Sequence, residues 1–477
     1  MHKVVLQFGG SSVQDIEAFT KAIQLITERS SQQIAEWIIV ASPMLLKKTN
    51  QLSYIGYISG NGFVRNRYKT VIAASRVLQD IKDTNKYTVA LNFLELRLNI
   101  VPKKSGSRIN NILKDSRIHD LIVEGVNEPC DGYGGSTIAL LRHLEEFCNV
   151  GFVPINQTSS RINSRIKKLI TNGKANKYLI YRSPMSGWFN TTARPRPTDS
   201  KKALMTMFET TSTPTTWKER VGDKVDMVIV PCTHCKDVLL KDGWDHVPIT
   251  IIPLGFREDI FKYKERVIST DRPYRFLFQF ASHPLADDRK NTLNVLNAFN
   301  MCFADNKDVE LIIKASGALD QGILMTLPSN ARVISGALQI EEIRDLFYTA
   351  DCFLFPTRGE GYGLPPREAM ATGLPVIITD FSGLADIADP SMCFPITPEK
   401  LIPAIYPHEV GLRHQNGNRM FGLWADVPAH LIAEQMMIVY NNQKRALKVG
   451  KKASTYMHSE ETSQIAASNI LSLMNKL

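Results

Sequence analysis

No run of about 18 consecutive apolar residues occurs in the 477-residue chain, so no membrane-spanning helix is expected. A disulfide framework is also missing. The seven cysteines are odd in number and scattered, which points to a reducing compartment. The opening residues, MHKVVLQFGGSS, place too few apolar residues before a polar glycine turn to read as a signal peptide. A cytoplasmic location is the expectation that follows. Internal repeats, low-complexity tracts and nucleic-acid-binding modules are absent from the sequence, and nucleic acid is not expected as a partner. What is present is ordinary for a globular protein: 44% hydrophobic and 22% charged residues, in a length sufficient for two or three domains. The formal net charge is +10. Such a charge would help hold a diphosphate or an anionic acceptor, or bring the surface to anionic lipid at the inner face of a membrane. A generic solvated basic surface would carry it equally well.

The most informative stretch runs from Phe353 to Asp380, FLFPTRGEGYGLPPREAMATGLPVIITD. It reads as a buried strand, a glycine-rich turn, a helix and a second buried strand. Gly361 and Gly363 allow a sharp bend and close approach to a ligand. Pro365 and Pro366 stand where a helix begins, and the free N–H groups there suit an anionic phosphate. Glu360 and Glu368 flank this turn. A carboxylate beside a phosphate site does not bind the phosphate. It is better placed to accept hydrogen bonds from hydroxyls, as acidic residues do with ribose. A phosphate with hydroxyls on both sides describes a nucleotide sugar. Farther upstream, Arg289 and Lys290 sit at a second helix start, where cations are otherwise disfavoured. Two cations there would neutralise a diphosphate and stabilise charge growing on it as a sugar leaves.

The run E-G-Y-G-L-P-P-R-E-A-M-A-T-G-L-P-V-I resembles the E-x7-E signature of retaining glycosyltransferases of family 4. The resemblance implies an α/β, GT-B fold: two facing Rossmann-like domains with parallel sheets and a cleft between them. It implies that Glu360 meets hydroxyls of the transferred sugar, that Glu368 meets the ribose hydroxyls, and that the backbone of Tyr362, Gly363 and Leu364 lines the phosphates. Arg289 and Lys290 resemble the family's R-K-G element, with Asn291 in place of the usual glycine. The loop Asp131–Ser136, containing Gly134 and Gly135 after the strand Leu121–Gly125, matches a donor-side loop of the family, with a helix expected from Thr137 to Phe147. Met207–Thr211 (MFETT) followed by Trp217 resembles a subset of the family whose corresponding loop faces the cleft. Glu209, Thr210 and Tyr133 are therefore candidates for the acceptor side, while Thr210 and Thr211 would equally serve as turn residues. A histidine that meets the donor sugar in many members has no clear counterpart here. Cys232 and Cys235 have the spacing of a metal half-site, yet no second pair stands at a zinc-like distance in the sequence, and packing is the favoured reading.

These observations divide the chain into an accessory α/β segment (1–118), a first Rossmann-like domain on the acceptor side (119–268), a nucleotide-sugar-binding domain (269–425) and helices crossing back over the first domain (426–477). Trp424–Pro428 is the expected crossing, and Pro102–Arg108 the linker candidate. The run VVLQFGGSSVQDIEAF resembles the opening of aspartate kinases and the wider amino-acid kinase family, but Gln7 occupies the position of the phosphate-binding lysine, so kinase activity is not expected. That segment reads as a degenerate remnant, an independent module, an ordinary βαβ unit or an extension of the neighbouring sheet. Lys444, Arg445, Lys448, Lys451 and Lys452 form a basic cluster near the end of the chain. The expected activity is hexosyl transfer from a nucleotide-diphosphate sugar to a glycan or lipid-linked hydroxyl, with retention of configuration, no cofactor and no catalytic metal. A nucleotide-sugar epimerase and a non-catalytic glycan- or partner-binding protein are the alternatives.

Overall fold

The structure, a computed structural model, describes residues 3–7, 36–40, 117–129, 132–155, 159–182, 197, 199–280, 288–317, 319, 321–405 and 420–477. The chain divides into two compact units, Met1–Arg117 with Ala193–Pro195 and Ile118–Thr192 with Arg196–Leu477. In the first unit, β1 (Lys3–Gln7) pairs in parallel with β2 (Glu36–Val40). The Gly9–Ser12 turn and the Pro102–Arg108 linker candidate lie outside the described residues.

The second unit holds two six-stranded parallel sheets. In its first half come β3 (Ile118–His119), β4 (Leu121–Gly125), α1 (Gly132–Phe147), β5 (Val150–Pro154), α2 (Ser164–Leu169), β6 (Lys174–Ala175), β7 (Lys177–Tyr181), β8 (Lys201–Met205), α3 (Thr215–Val221), β9 (Met227–Val230), α4 (Thr233–Lys241) and β10 (Ile249–Ile251). The sheet order is β10-β9-β8-β7-β4-β5. The runs Leu121-Ile122-Val123 and Met227–Val230 are apolar on both faces because helices cover both, and alternate side chains enter different cores. Leu121 and Val123 join Ile138 and Leu141 of α1, whereas Leu204 and Val228 join Trp217 and Trp244.

The second half begins with β11 (Tyr274–Phe280), α5 (Thr292–Phe303), β12 (Val309–Ala315), α6 (Gln321–Met325), β13 (Ala331–Ser335) and α7 (Ile340–Thr349). It continues with β14 (Cys352–Phe355), α8 (Leu364–Ala371), β15 (Val376–Thr379) and β16 (Phe394–Ile396). Their order is β13-β12-β11-β14-β15-β16. An antiparallel ribbon of β17 (Lys400–Ile405) and β18 (Met420–Asp426) follows, then α9 (Ala429–Asn441), α10 (Gln443–Glu460) and α11 (Ser463–Lys476). Among the described residues no helix is long and apolar enough to cross a membrane.

Two expectations are corrected. Gly132–Ser136 is not a loop before the helix but the first turn of α1. Ser136 Oγ donates to Gly132 O at 2.6 Å and Thr137 Oγ1 to Tyr133 O at 2.7 Å, so the hydroxyls reinforce that turn. Gly134 is required for a different reason than chain bending: a Cβ there would strike the Glu128 carbonyl. The return to the first half also comes later than Trp424–Pro428. Ile432, Met436 and Val439 of α9 belong to the core under β11 and β12, and Ala453 and Met457 of α10 to the core around α8. Only α11 crosses, placing Ala467, Ile470 and Met474 against α1. The crossing is made at Glu461–Ser463. There it pairs with the first crossing segment: Phe256 N donates to Glu461 O and Ser463 N to Phe256 O, both at 2.9 Å. Trp424 does touch the first half, packing with Phe208 and Trp217, but from the β17–β18 ribbon.

Candidate functional site

In both sheets the strand order reverses once, between β4 and β7 and between β11 and β14. Parallel sheets open a crevice at the carboxyl ends of the strands where the order reverses. The second sheet uses this point fully. The chain after β11 supplies Arg289 and Lys290, and the chain after β14 supplies the Gly359–Gly363 turn. Arg289 Nη1 donates to Gly359 O at 2.7 Å and to Glu360 Oε1 at 2.8 Å, and Lys290 Nζ donates to that same Glu360 oxygen at 2.6 Å. Glu360 is 8% exposed. Burial pushes its carboxyl up, but Lys290 and Arg289 outweigh this and hold it below the ordinary carboxylate range. Burial draws the Lys290 ammonium down against the pull of Glu360. The Lys290 ammonium also sits 4.7 Å above the Phe355 ring.

Asn291 explains how this loop is held. Its φ is +59°, the left-handed region that asparagine tolerates better than most residues, so it fills a position that glycine also suits. It adds what glycine lacks. Its buried Nδ2 donates to Val427 O at 2.7 Å and Pro356 O at 3.2 Å, while its Oδ1 accepts from Asn294 at 2.8 Å.

Gly363, with φ +82°, is the N-cap of α8, and the prolines follow inside the first turn. Proline has no N–H, so Pro365 and Pro366 remove two of the four amides that a helix start ordinarily presents. Among the described residues, the amides of Gly363 and Leu364 donate to no acceptor. Glu368, one turn on, is half-buried; its backbone carbonyl accepts from Thr372 N, and its carboxylate makes no hydrogen bond or ion pair among the described residues. Burial pushes its carboxyl up to about 7, with Arg257 opposing.

The opposite wall comes from the first half. Glu209 Oε1 lies 3.7 Å from Arg289 Nε, and a Cβ on Gly359 would strike the Glu209 carbonyl, so the two halves touch here. Tyr133 is half-buried with its ring 5.2 Å from that of Tyr181. Burial, then Tyr181 and Glu209, push its phenol well above the usual range, so it stays protonated and able to donate. Gly134 and Gly135 lie in the same first turn of α1, with a Cβ on Gly135 only 3.2 Å from Pro129 O. Thr210 does not fit the expected ligand contact. Its side chain is fully buried and its hydroxyl donates to Ser212 O at 2.9 Å, the turn role.

Sequence reasoning missed how the signature turn is seated. Cys232 and Cys235 are both buried: the Cys232 thiol donates to Gly361 O at 3.3 Å, and the single Cys235 S–H lies between Phe208 O at 3.3 Å and Gly361 O at 3.4 Å. Among the described residues no group of three or more His, Cys, Asp or Glu side chains could hold a metal ion. Asp386 of the second half accepts from Thr233 N at the start of α4 at 2.9 Å. Arg367, 1% exposed, makes a 3.0 Å ion pair with Glu461. A charged residue amid Pro366, Ala369 and Met370 was the available signal; its partner, far along the chain, left none. On α10, Lys451 stands 3.6 Å from Glu265 and Lys452 donates to Ser391 at 2.7 Å, while Lys444 and Lys448 are exposed.

Residues 278–405, which contain Arg289, Lys290, Glu360 and Glu368, match the family model described as "Glycosyl transferases group 1". Several solved structures superpose on most of the chain. A glycosyltransferase from Rickettsia africae ESF-5 is 12% identical with a TM-score of 0.53, covering 76% of this chain and 98% of its own. Anabaena Alr3699/HepE in complex with UDP-glucose is 12% identical with a TM-score of 0.52, covering 75% and 100%. Sucrose-phosphate synthase tll1590 from Thermosynechococcus elongatus is 13% identical with a TM-score of 0.51, covering 75% and 98%. The chain has the GT-B fold. In sequence it is similar over 45 residues, at 47% identity, to the lipopolysaccharide core biosynthesis mannosyltransferase LpsB of Rhizobium meliloti (strain 1021). That match takes in 9% of this chain and spans 13% of the relative's length. The family model's match does not reach the aspartate-kinase-like opening run.

Proposed function

We propose that the protein transfers a hexose from a nucleotide-diphosphate sugar to a hydroxyl of a glycan or lipid-linked acceptor, with retention of anomeric configuration. The observation that carries this reading is the meeting of Arg289, Lys290 and Glu360 beside the open amides of Gly363 and Leu364, at the crevice of a GT-B fold. In this reading the two cations and the backbone of Tyr362, Gly363 and Leu364 take the diphosphate. Glu360 takes hydroxyls of the transferred sugar, and Glu368 takes those of the ribose. Gly134 and Gly135 lie on the donor side of the opposite wall, and Tyr133 and Glu209 on the acceptor side. As the bond from the anomeric carbon to the β-phosphate oxygen breaks, its electron pair stays on the phosphate, where Arg289 and Lys290 stabilise it. That oxygen takes the proton of the incoming hydroxyl, whose oxygen bonds to the anomeric carbon on the face the phosphate leaves. The scheme calls for no cofactor and no catalytic metal. The exposed lysines of α10 suit peripheral contact with an anionic membrane carrying a lipid-linked acceptor.

The test is turnover of UDP-, GDP- and ADP-hexoses, followed as nucleoside diphosphate release, with water standing in for an acceptor. One donor should be consumed and the product sugar should keep the donor's anomeric configuration by NMR. Lys290→Ala and Glu360→Ala should each lower turnover by about 100-fold or more. Undiminished turnover in both variants would overturn the site assignment, and an inverted product would overturn retention.

A further inference from the structure

We infer that Arg367 is a positioning residue that aims the phosphate-binding amides of the signature turn, and that Glu461, from the returning chain, holds it to that role. The inference rests on the donor-site reading above and deepens it.

Arg367 spends nearly all its donors on one task. Its Nε pairs with Glu461 Oε2 at 3.0 Å, its Nη1 donates to the carbonyls of Tyr362 and, at 3.4 Å, Gly363, and its Nη2 donates to Gly383 O at 3.2 Å. The guanidinium lies 3.8 Å from the centroid of the Tyr362 ring. In a planar trans peptide the C=O and the following N–H point in opposite directions. Drawing the carbonyls of Tyr362 and Gly363 toward Arg367 therefore turns the N–H groups of Gly363 and Leu364 the other way. These are the two amides that the prolines leave at the start of α8. The task needs a fork of donors fixed in one plane, which arginine has and lysine lacks.

An arginine buried this deeply keeps its proton, so it needs a carboxylate partner. Glu461 is that partner, 5% exposed and 94 positions along the chain. It also accepts from the Tyr362 hydroxyl, which in turn accepts from Gly255 N at 3.3 Å. Gly255 and Glu461 belong to the two segments that cross between the halves, and Phe256 and Glu461 are joined backbone to backbone. The aim of the phosphate-binding amides is thus set from the crossing point, not within the signature alone.

The experiment measures affinities of UDP, GDP and ADP, and of uridine, guanosine and adenosine, by calorimetry and ligand-observed NMR. It compares the wild type with Arg367→Met/Glu461→Leu and Arg367→Lys. Removing both buried charges together leaves neither unpaired, so the double variant is expected to fold, which circular dichroism and its melting curve will show. The preference for the diphosphate over its nucleoside should drop by about tenfold in the double variant, consistent with losing one charge-assisted hydrogen bond. Nucleoside affinity itself should hold, since Glu368 is untouched. Arg367→Lys, which keeps the charge pair but loses the fork, should show the same drop, and it decides the matter if the double variant does not fold. A wild-type ratio in the folded double variant or in Arg367→Lys overturns the inference. A wild type that binds none of the three diphosphates overturns the donor-site reading instead.

Discussion

Lys290 Nζ and Glu360 Oε1 stand 2.6 Å apart although 70 residues separate them in sequence, and Arg289 Nη1 reaches the same oxygen. With Glu209 also near Arg289, two cations face two carboxylates, so the crevice is balanced before any ligand enters. On the proposed donor-site reading, an entering diphosphate draws the cations from Glu360 and frees that carboxylate for hydroxyls.

Glu360→Gln separates the two roles. The substitution keeps the shape and removes the charge that competes with a diphosphate. Affinity for the nucleoside diphosphate should rise a few-fold while turnover falls by about 100-fold. Calorimetry and steady-state kinetics on the same preparation will show whether the two constants move in opposite directions; a parallel fall would contradict the exchange.

Glu368 should leave a mark on stability as a function of pH. Its carboxyl is pushed up to about 7 in the folded protein, so between the ordinary carboxylate range and pH 7 the folded state binds more protons than the unfolded one. Stability should fall as pH rises through this window, by about 1–2 kcal/mol after allowing for partial exposure. Glu368→Gln should abolish that slope and melt higher than the wild type at pH 8. Melting curves from pH 5 to 8 measure it, and an unchanged slope would count against the assignment.

Asn291 can be dissected by two substitutions. Asn291→Ala meets the +59° φ and loses the hydrogen bonds to Val427 and Pro356, and about 2–4 kcal/mol of stability should go with them. Asn291→Gly relieves the backbone term and should be the milder change by about 1 kcal/mol. Urea denaturation at equal slope will rank them.

Ile470 tests the returning helix. It is fully buried between α11 and α1, and Ile470→Ala should destabilise by about 2–4 kcal/mol. If α11 were a loosely attached tail, the change would be below about 0.5 kcal/mol, the range of exposed sites.

The sequence was most legible where chemistry is local. Glu360, Gly363, Pro365 and Glu368 lie within one strand–turn–helix unit, and the strand, the turn and the helix start are all visible from that unit alone. The parallel sheets were equally readable, because strands buried on both faces are nearly continuous apolar runs. Pairings set by distant segments were not readable. Arg367 and Glu461 meet only once the chain has crossed twice between the halves, and the Cys232 thiol points at a carbonyl of the other half. Periodicity says that α9 and α10 bury a face but not against what, which is why the crossing was expected at Trp424 and occurs at Glu461. Glycines misled once, since Gly132–Gly135 signal a turn by composition and lie in a helix held open for the Glu128 carbonyl.

The measurement to make first is thermal denaturation of the full chain with UDP-, GDP- and ADP-sugars at concentrations well above their dissociation constants. A ligand bound only by the folded state raises the melting temperature by mass action, by about 2–3 kcal/mol of stabilisation at a hundredfold excess over the dissociation constant. A rise with one nucleotide sugar, lost in Glu368→Ala and Lys290→Ala, is the expected result. No rise with any of the three would contradict a nucleotide-sugar site between β11 and β14.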